Sequence, residues 1–281
     1  MRAFRSFFRM AMLALCGIAG LTAAQAQDRR PSHCIAISQS APGIEYLHRA
    51  GFREGVPDFS VRITYIAHAM FLLQTPGGLS AVTDYAGFIG TTDFAPDVAT
   101  MNNAHGTHWT AAPDPRIPHV LEGWADADGP RDHHLDLGEM LVRNVHTDVR
   151  SGDFGGGARS NGNSIFVFEV EGLCIGHLGH LHHYPDPMQL AALGRLDVVM
   201  APVDGGMTLD LPTMTRLLKR LKSSVVIPMH WFSLGSLDRF LVGMADEFDI
   251  RTDAGNSIEV SLRSLPDRPT VVVLRPEYLQ D

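Results

Sequence analysis

The chain has 281 residues, 45% of them hydrophobic and 19% charged, which is ample for one domain with a full core. Its formal net charge is −8. That acidic balance excludes the basic footprint that nucleic acid or an anionic lipid surface requires.

Residues 1–26 read as a secretory signal peptide. Arg2, Arg5 and Arg9 form a positive start, an apolar run follows over 10–19, and Ala24-Gln25-Ala26 puts small residues before Gln27. The run is too short to span a bilayer comfortably, so a retained membrane anchor is the weaker reading. Lipoprotein cleavage at Cys16 is disfavoured by the bulky Leu15. Cleavage takes three positive charges and no negative one from −8, leaving −11. The expectation is a periplasmic or secreted protein with no stable membrane insertion after cleavage. An oxidising compartment permits a Cys34–Cys174 bridge. Cys174 also fits a small buried hydrophobe in an apolar strand.

Residues 27–58 read as an irregular leader with one short helix around 43–50, and 59–281 as the folded domain. Two strand-like runs fill 61–74 and end at the turn signal Thr75-Pro76-Gly77-Gly78. Short apolar runs follow at 79–83 and 95–101. The stretch 111–130, rich in Pro, Asp and Gly, reads as loop. A strand is expected at 139–145, then a glycine-rich loop over 151–162, either a mobile flap or a plain connection. Segments 164–170 and 173–176 form a hairpin around Glu171-Gly172. Residues 186–193 look helical and 197–201 form a buried strand. Residues 211–221 make an amphipathic helix with Arg216, Lys219, Arg220 and Lys222 on its wet side. A buried strand at 225–228, a helix over 236–248 and strands at 257–262 and 270–274 close the chain. Strands in clusters with few helices between them predict packed sheets flanked by helices.

Eight of the fourteen histidines fall just past four of these strands. His105 and His108 follow the run ending at Met101, and His146 follows the strand at 139–145. His177, His180, His182 and His183 follow 173–176, and His230 follows 225–228. Strands of one sheet can deliver their ends to a common edge, where loops converge on one cleft. Neutral imidazole is the commonest protein ligand for zinc and suits iron, copper and nickel. His182 and His183 read as bystanders, as do His133 and His134 in a polar loop.

The order of the segments resembles the metallo-β-lactamase superfamily, in particular its branch of ascorbate-6-phosphate lactonase-like hydrolases. The resemblance covers roughly 61–231. Ile63-Thr64-Tyr65-Ile66-Ala67-His68-Ala69-Met70-Phe71 is similar to the opening strand with its "GHASF" element, and Thr83-Asp84-Tyr85 sits where the family has a buried Asp. Asn103-Ala104-His105-Gly106-Thr107-His108 matches the hallmark His-x-His-x-Asp-His, and Gly179-His180 the later Gly-Asp. Segment 197–206 resembles "DvallPigG", and Val226-Ile227-Pro228-Met229-His230 resembles "viPmH". The implied fold is an α/β four-layer αββα sandwich with its site along one edge of the two sheets.

Carried over residue by residue, the resemblance places Asn103, His105 and His146 at one metal, and Thr107, His108 and His230 at a second, with His180 in place of the bridging Asp. Asn103 could give an amide oxygen, whereas Thr107 is a poor neutral ligand. The candidate metal residues are therefore Asn103, His105, His108, His146, His180 and His230. A neutral imidazole cannot bridge two cations as a carboxylate does, so one tightly held ion, or two with an altered ligand set, is expected. The expected cofactor is Zn2+, with other divalent metals admissible. The implied activity is metal-dependent hydrolysis of a small-molecule ester, lactone, amide or phosphoester, with metal-activated hydroxide as the attacking group. The alternative is a non-catalytic metal- or ligand-binding relative of the same fold. Asp204 is the candidate acid–base or metal-neighbouring residue, or else a turn-forming Asp before two glycines. Asp84 is expected to orient a ligand loop by hydrogen bonding. His68 either lines the cleft or packs, and His177 is either a fifth near-site imidazole or, the stronger reading, an outward strand residue. Trp109 and Trp231 either wall the cleft or belong to the core.

Overall fold

The computed structural model describes residues 29–36, 51–102, 106–150 and 158–281. The expected signal peptide and the expected helix at 43–50 lie outside them. In chain order the elements are α1 (His33–Ala36), β1 (Ser60–Ala67), β2 (Met70–Gln74), β3 (Ser80–Val82), β4 (Gly90–Thr91), β5 (Val98–Met101), β6 (His119–Glu122), β7 (His134–Asp136), β8 (Met140–Arg150), β9 (Ala158–Val170), β10 (Leu173–His177), α2 (Pro187–Leu193), β11 (Val198–Pro202), α3 (Leu211–Leu221), β12 (Val225–Met229), α4 (Leu234–Met244), β13 (Asp249–Arg251), β14 (Ser257–Ser261), β15 (Thr270–Val272) and β16 (Leu279–Gln280). No helix among the described residues is long and apolar enough to cross a membrane.

Two mixed sheets carry the fold. One runs β14-β1-β2-β3-β5-β6, the other β13-β15-β12-β11-β10-β9-β8-β7. Their inner faces share one core, where Val61, Ile63 and Phe71 meet Val142, Phe168, Ile175 and Ile227. Helices α2, α3 and α4 cover the outer face of the second sheet, with Leu193, Met214, Leu217, Leu218 and Phe240 against Val199, Ala201 and Val226. The outer face of the first sheet is closed, among the described residues, by loops and the β4–β16 pair, through Tyr85, Ile89, Ile117 and Leu279. Each of the three longer helices starts on a capping side chain: Asp186, Asp210 or Ser233 accepts a backbone N–H of the first turn.

Strand direction explains where the loops converge. β1 and β3 are both antiparallel to β2, and β3 is parallel to β5, so β1, β3 and β5 end on one edge. β10, β11 and β12 are mutually parallel and also end together. Loops past the carboxyl ends of such strands are where open α/β sheets build their sites.

Three expectations on the way need correction. The stretch 111–130 is not all loop: β6 pairs with β5 there, His119–Glu122 beside Val98–Met101. The strand expected at 139–145 runs on to Arg150, so His146 lies within it rather than past its end. Of the glycine-rich stretch 151–162, residues 158–162 belong to β9, because the hairpin continues through Arg150↔Ala158 beyond a register shift at Thr147/Val149. The rest of that loop, 151–157, lies outside the described residues.

Candidate metal centre

Six strand ends supply the site. His68 sits in the tight turn between β1 and β2, Asp84 after β3, His108 after β5, His180 after β10, Asp204 after β11 and His230 after β12. His68, Asp84 and His230 are left-handed, with φ of 49°, 42° and 61°. Such backbone costs a non-glycine residue about 1 kcal/mol or more and persists where the surroundings impose it, often at functional sites. The two sheet edges are bolted together at this point. His230 N–H donates to the His68 carbonyl at 2.9 Å, and the Tyr65 hydroxyl donates to the same oxygen at 2.6 Å.

Among the described residues three imidazoles cluster here: ligand atoms of His68, His108 and His230 all lie within 4.8 Å of one another. His108 and His230 are fully buried. Each has a carboxylate at its back. Asp84 Oδ2 lies 2.5 Å from His108 Nδ1, and Asp204 Oδ2 lies 2.9 Å from His230 Nδ1. The two Nε2 atoms then face each other at 3.1 Å. A carboxylate behind an imidazole is the arrangement that fixes a metal ligand's tautomer and raises its basicity.

Both carboxylates are themselves held. Asp84 accepts from Asn102 Nδ2 at 2.9 Å, and Asn102 Oδ1 takes the Ser164 N–H at 2.8 Å, which ties the end of β5 to β9 in the other sheet. Asp204 Oδ1 accepts the N–H groups of Gly206, Met207 and Thr208, and its Oδ2 the Thr208 hydroxyl. Burial pushes the Asp204 pKa up, but the bonds from His230, Thr208 and the loop amides outweigh it and hold the carboxyl far below the usual range. The Arg150 guanidinium grips that loop from outside through the carbonyls of Gly206, Met207 and Thr208. The three amides make Asp204 the turn-forming residue before two glycines that the sequence left open, and its Oδ2 stands 2.9 Å behind His230.

The other sequence candidates fall as follows. His180 is buried beside the centre, its ring 4.9 Å from His108 and 5.0 Å from His230, edge-on to both. His182, expected as a bystander, touches His180 Nδ1 with its Nε2 at 2.6 Å. The His146 Nε2 lies 3.0 Å from Asp132 and its Nδ1 3.4 Å from the Ser164 hydroxyl. Asn103 and His105 lie outside the described residues, and Thr107 is exposed. His68, left open by the sequence, joins the cluster, and Asp84 makes the orienting bonds expected of it. His177 is not outward. It is buried, its Nε2 2.7 Å from the Ala69 carbonyl, and it fastens β10 to the first sheet. Trp231 and Trp109 belong to the core, packed on Tyr65 and Trp124. The aromatic at the mouth is Phe232, 61% exposed, with its ring 5.1 Å from His230 and 5.4 Å from His68. Its signal in the sequence was masked by Trp231 beside it.

Cys34 and Cys174 are joined in a disulfide with Cα atoms 5.8 Å apart, so the alternative of a free buried Cys174 falls away.

A family model described as the beta-lactamase superfamily domain matches residues 62–230. The chain is 25% identical over 224 residues to a UPF0173 metal-dependent hydrolase of Methanoculleus marisnigri, covering 73% of this chain and 94% of that one. It is 23% identical over 214 residues to a protein of the same name from Methanospirillum hungatei, covering 69% and 93%. A crystal structure from Thermotoga maritima, described as a Zn-dependent hydrolase of the metallo-beta-lactamase superfamily, superposes with a TM-score of 0.51 at 26% identity, covering 76% of this chain and 98% of that one. A structure from Parabacteroides distasonis, at 13% identity and a TM-score of 0.50 over 78% and 94% of the two chains, shares the fold alone. The α/β sandwich expected from the sequence is thereby borne out.

Proposed function

Because the chain belongs to the beta-lactamase superfamily domain family, we propose that its imidazole cluster is the metal centre of a hydrolase acting on small esters or lactones outside the cytoplasm. The observation that carries this reading is the pair of carboxylate-backed imidazoles whose Nε2 atoms stand 3.1 Å apart. With Nδ1–H of each ring given to a carboxylate, both Nε2 atoms present lone pairs to the same point. Two acceptors that close repel unless a cation lies with them. His68 completes a set of three nitrogens, which is the protein ligand number of a catalytic zinc with one open position. The residues present therefore fit such an ion.

When bound, a divalent ion supplies Lewis-acid polarisation of a carbonyl or phosphoryl oxygen and brings the pKa of water to about 7. The chain's own residues do the rest. Asp84 and Asp204 hold the two rings in one tautomer. Asn102 and the 206–208 loop hold the carboxylates. Phe232 gives the mouth an apolar rim. That rim, and the acidic balance of the chain, favour a neutral substrate with an apolar part over a polyanion. The elements at 63–71, 197–206 and 226–230 resemble those of the lactonase-like branch, and that resemblance supports a lactone as substrate. Export is supported by the signal-like start and by the Cys34–Cys174 bridge, which persists in oxidising compartments.

The test is turnover of a panel of lactones, carboxylic esters, β-lactams and phosphodiesters by the zinc-loaded chain, beside His108→Ala and His230→Ala. Hydrolysis of a lactone or ester, lowered at least 100-fold in both variants, is expected. Stoichiometric metal with no turnover on any of them would make the chain a non-catalytic binder of the same fold.

A further inference from the structure

We propose that His180, which replaces the carboxylate expected to bridge two metals, is not a ligand of this centre but a hydrogen-bond donor fixed beside it by His182. The proposal rests on the metal-centre reading and assigns one of its residues a role that the resemblance does not.

The argument is a count of protons along three groups. The backbone N–H of Arg150 lies 2.7 Å from His182 Nδ1. A peptide N–H can only donate, so His182 Nδ1 holds a lone pair there. A neutral His182 therefore carries its proton on Nε2. That nitrogen is 2.6 Å from His180 Nδ1, so it donates, and His180 Nδ1 accepts. A neutral His180 is left with its proton on Nε2, on the other side of the ring from His182. His108 is set in the opposite sense by Asp84, 2.5 Å from its Nδ1, and His230 has Asp204 Oδ2 in the same position, 2.9 Å from its Nδ1. The site thus holds two rings that present lone pairs and one that presents an N–H.

The main chain keeps His180 in that place. Its own N–H donates to Asn163 Oδ1 at 2.8 Å, and Asn163 is anchored on Thr147 by a 2.8 Å bond. Gly179, at φ 59°, lets the strand end pass between Asn102 and Asn163, where an added Cβ would stand 2.5 Å from a polar atom of each. Arg150 serves twice: its amide sets His182, and its guanidinium holds the loop around Asp204. An N–H beside the centre opposes a second cation and suits an oxygen that gains negative charge, such as a carbonyl oxygen during attack.

The experiment is a long-range 1H–15N spectrum of the chain labelled with 15N-histidine, recorded without and with one equivalent of Zn(II). Rings are assigned by single His→Gln substitutions. Before zinc, His180 is expected as the Nε2–H tautomer, and His108 and His230 as Nδ1–H. With zinc, the Nε2 signals of His108 and His230 should move to ligated positions while His180 keeps its Nε2–H signal. A His180 Nε2 that moves with the other two would overturn the proposal. If none of the three moves, the metal-centre reading itself fails and the proposal with it; the zinc-free tautomers show which link broke. His182→Leu lies outside the ligand cluster and releases His180 Nδ1. It should let His180 populate both tautomers and its Nε2 shift on zinc addition, whereas an unchanged His180 signal would contradict the role given to His182.

Discussion

At the residue scale the centre depends on how nitrogen protons are assigned. Asp84 and Asp204 touch no substrate in this account, yet each fixes a ligand ring. Replacing either by Asn keeps the shape and removes a charge-assisted acceptor. Asp84→Asn and Asp204→Asn should each weaken Zn(II) binding by about 10- to 100-fold, measured against a competing chelator. Affinity unchanged in both would show that the carboxylates do not orient the ligands. His177 belongs to a different class. Burial pushes its pKa down, although Asp84 and the Ala69 carbonyl pull the other way. The unfolded chain therefore takes up that proton more readily than the folded one. Its contribution to stability is full above the ordinary histidine value of about 6.5 and is lost as pH falls from there toward the depressed value. His177→Gln keeps a donor and does not titrate. Its thermal midpoint should fall less between pH 7.5 and 5.5 than that of the wild type, and parallel slopes would contradict this.

At the element scale, the turn after β10 is the most constrained. Gly179→Ala adds a Cβ that meets Asn102 and Asn163 and forces a residue with a side chain to φ 59°. The variant should lose about 1–3 kcal/mol of stability in urea unfolding, and its zinc affinity should drop as Asn102 shifts from Asp84. The longer elements were legible because their signals agree. The unbroken apolar runs of β11 and β12 mark buried parallel strands, and α3 shows its apolar stripe directly. Edge pairing was not legible: β6, β7 and β13 are three or four residues long, and their partners, not their composition, make them strands. The same limit moved His146. A glycine-rich stretch reads as a loop until a neighbouring strand pairs with it, so β8 and β9 ran past their expected ends. Within the site, His108 and His230 were visible as histidines after strands. Asn102 and Arg150 were not, because their value lies in which distant carboxylate or loop they reach. Nor could the residue series say that His182 sets the tautomer of His180.

At the scale of the whole molecule, the N-terminal segment is stapled to the second sheet. The Cys34–Cys174 bridge spans 140 residues of sequence. Beside it Glu169, fully buried, receives Arg143 at 2.7 Å, the Ser32 hydroxyl and the His33 N–H. In the loop-closure picture a bridge over so long a loop is worth roughly 5 kcal/mol. Cys34→Ser/Cys174→Ser should therefore lower the midpoint of thermal unfolding by several degrees, and a midpoint within a degree of wild type would show that the staple is idle. The bridge stands on the second sheet, whereas the metal centre joins the edges of both, so the two should fail independently. The most direct test of the account is the zinc content of the purified chain by native mass spectrometry, for the wild type and for His108→Ala/His230→Ala. The account predicts bound zinc in the wild type and its loss from a still-folded double variant. An equal zinc content in the two proteins, or none in the wild type at saturating Zn(II), would contradict it.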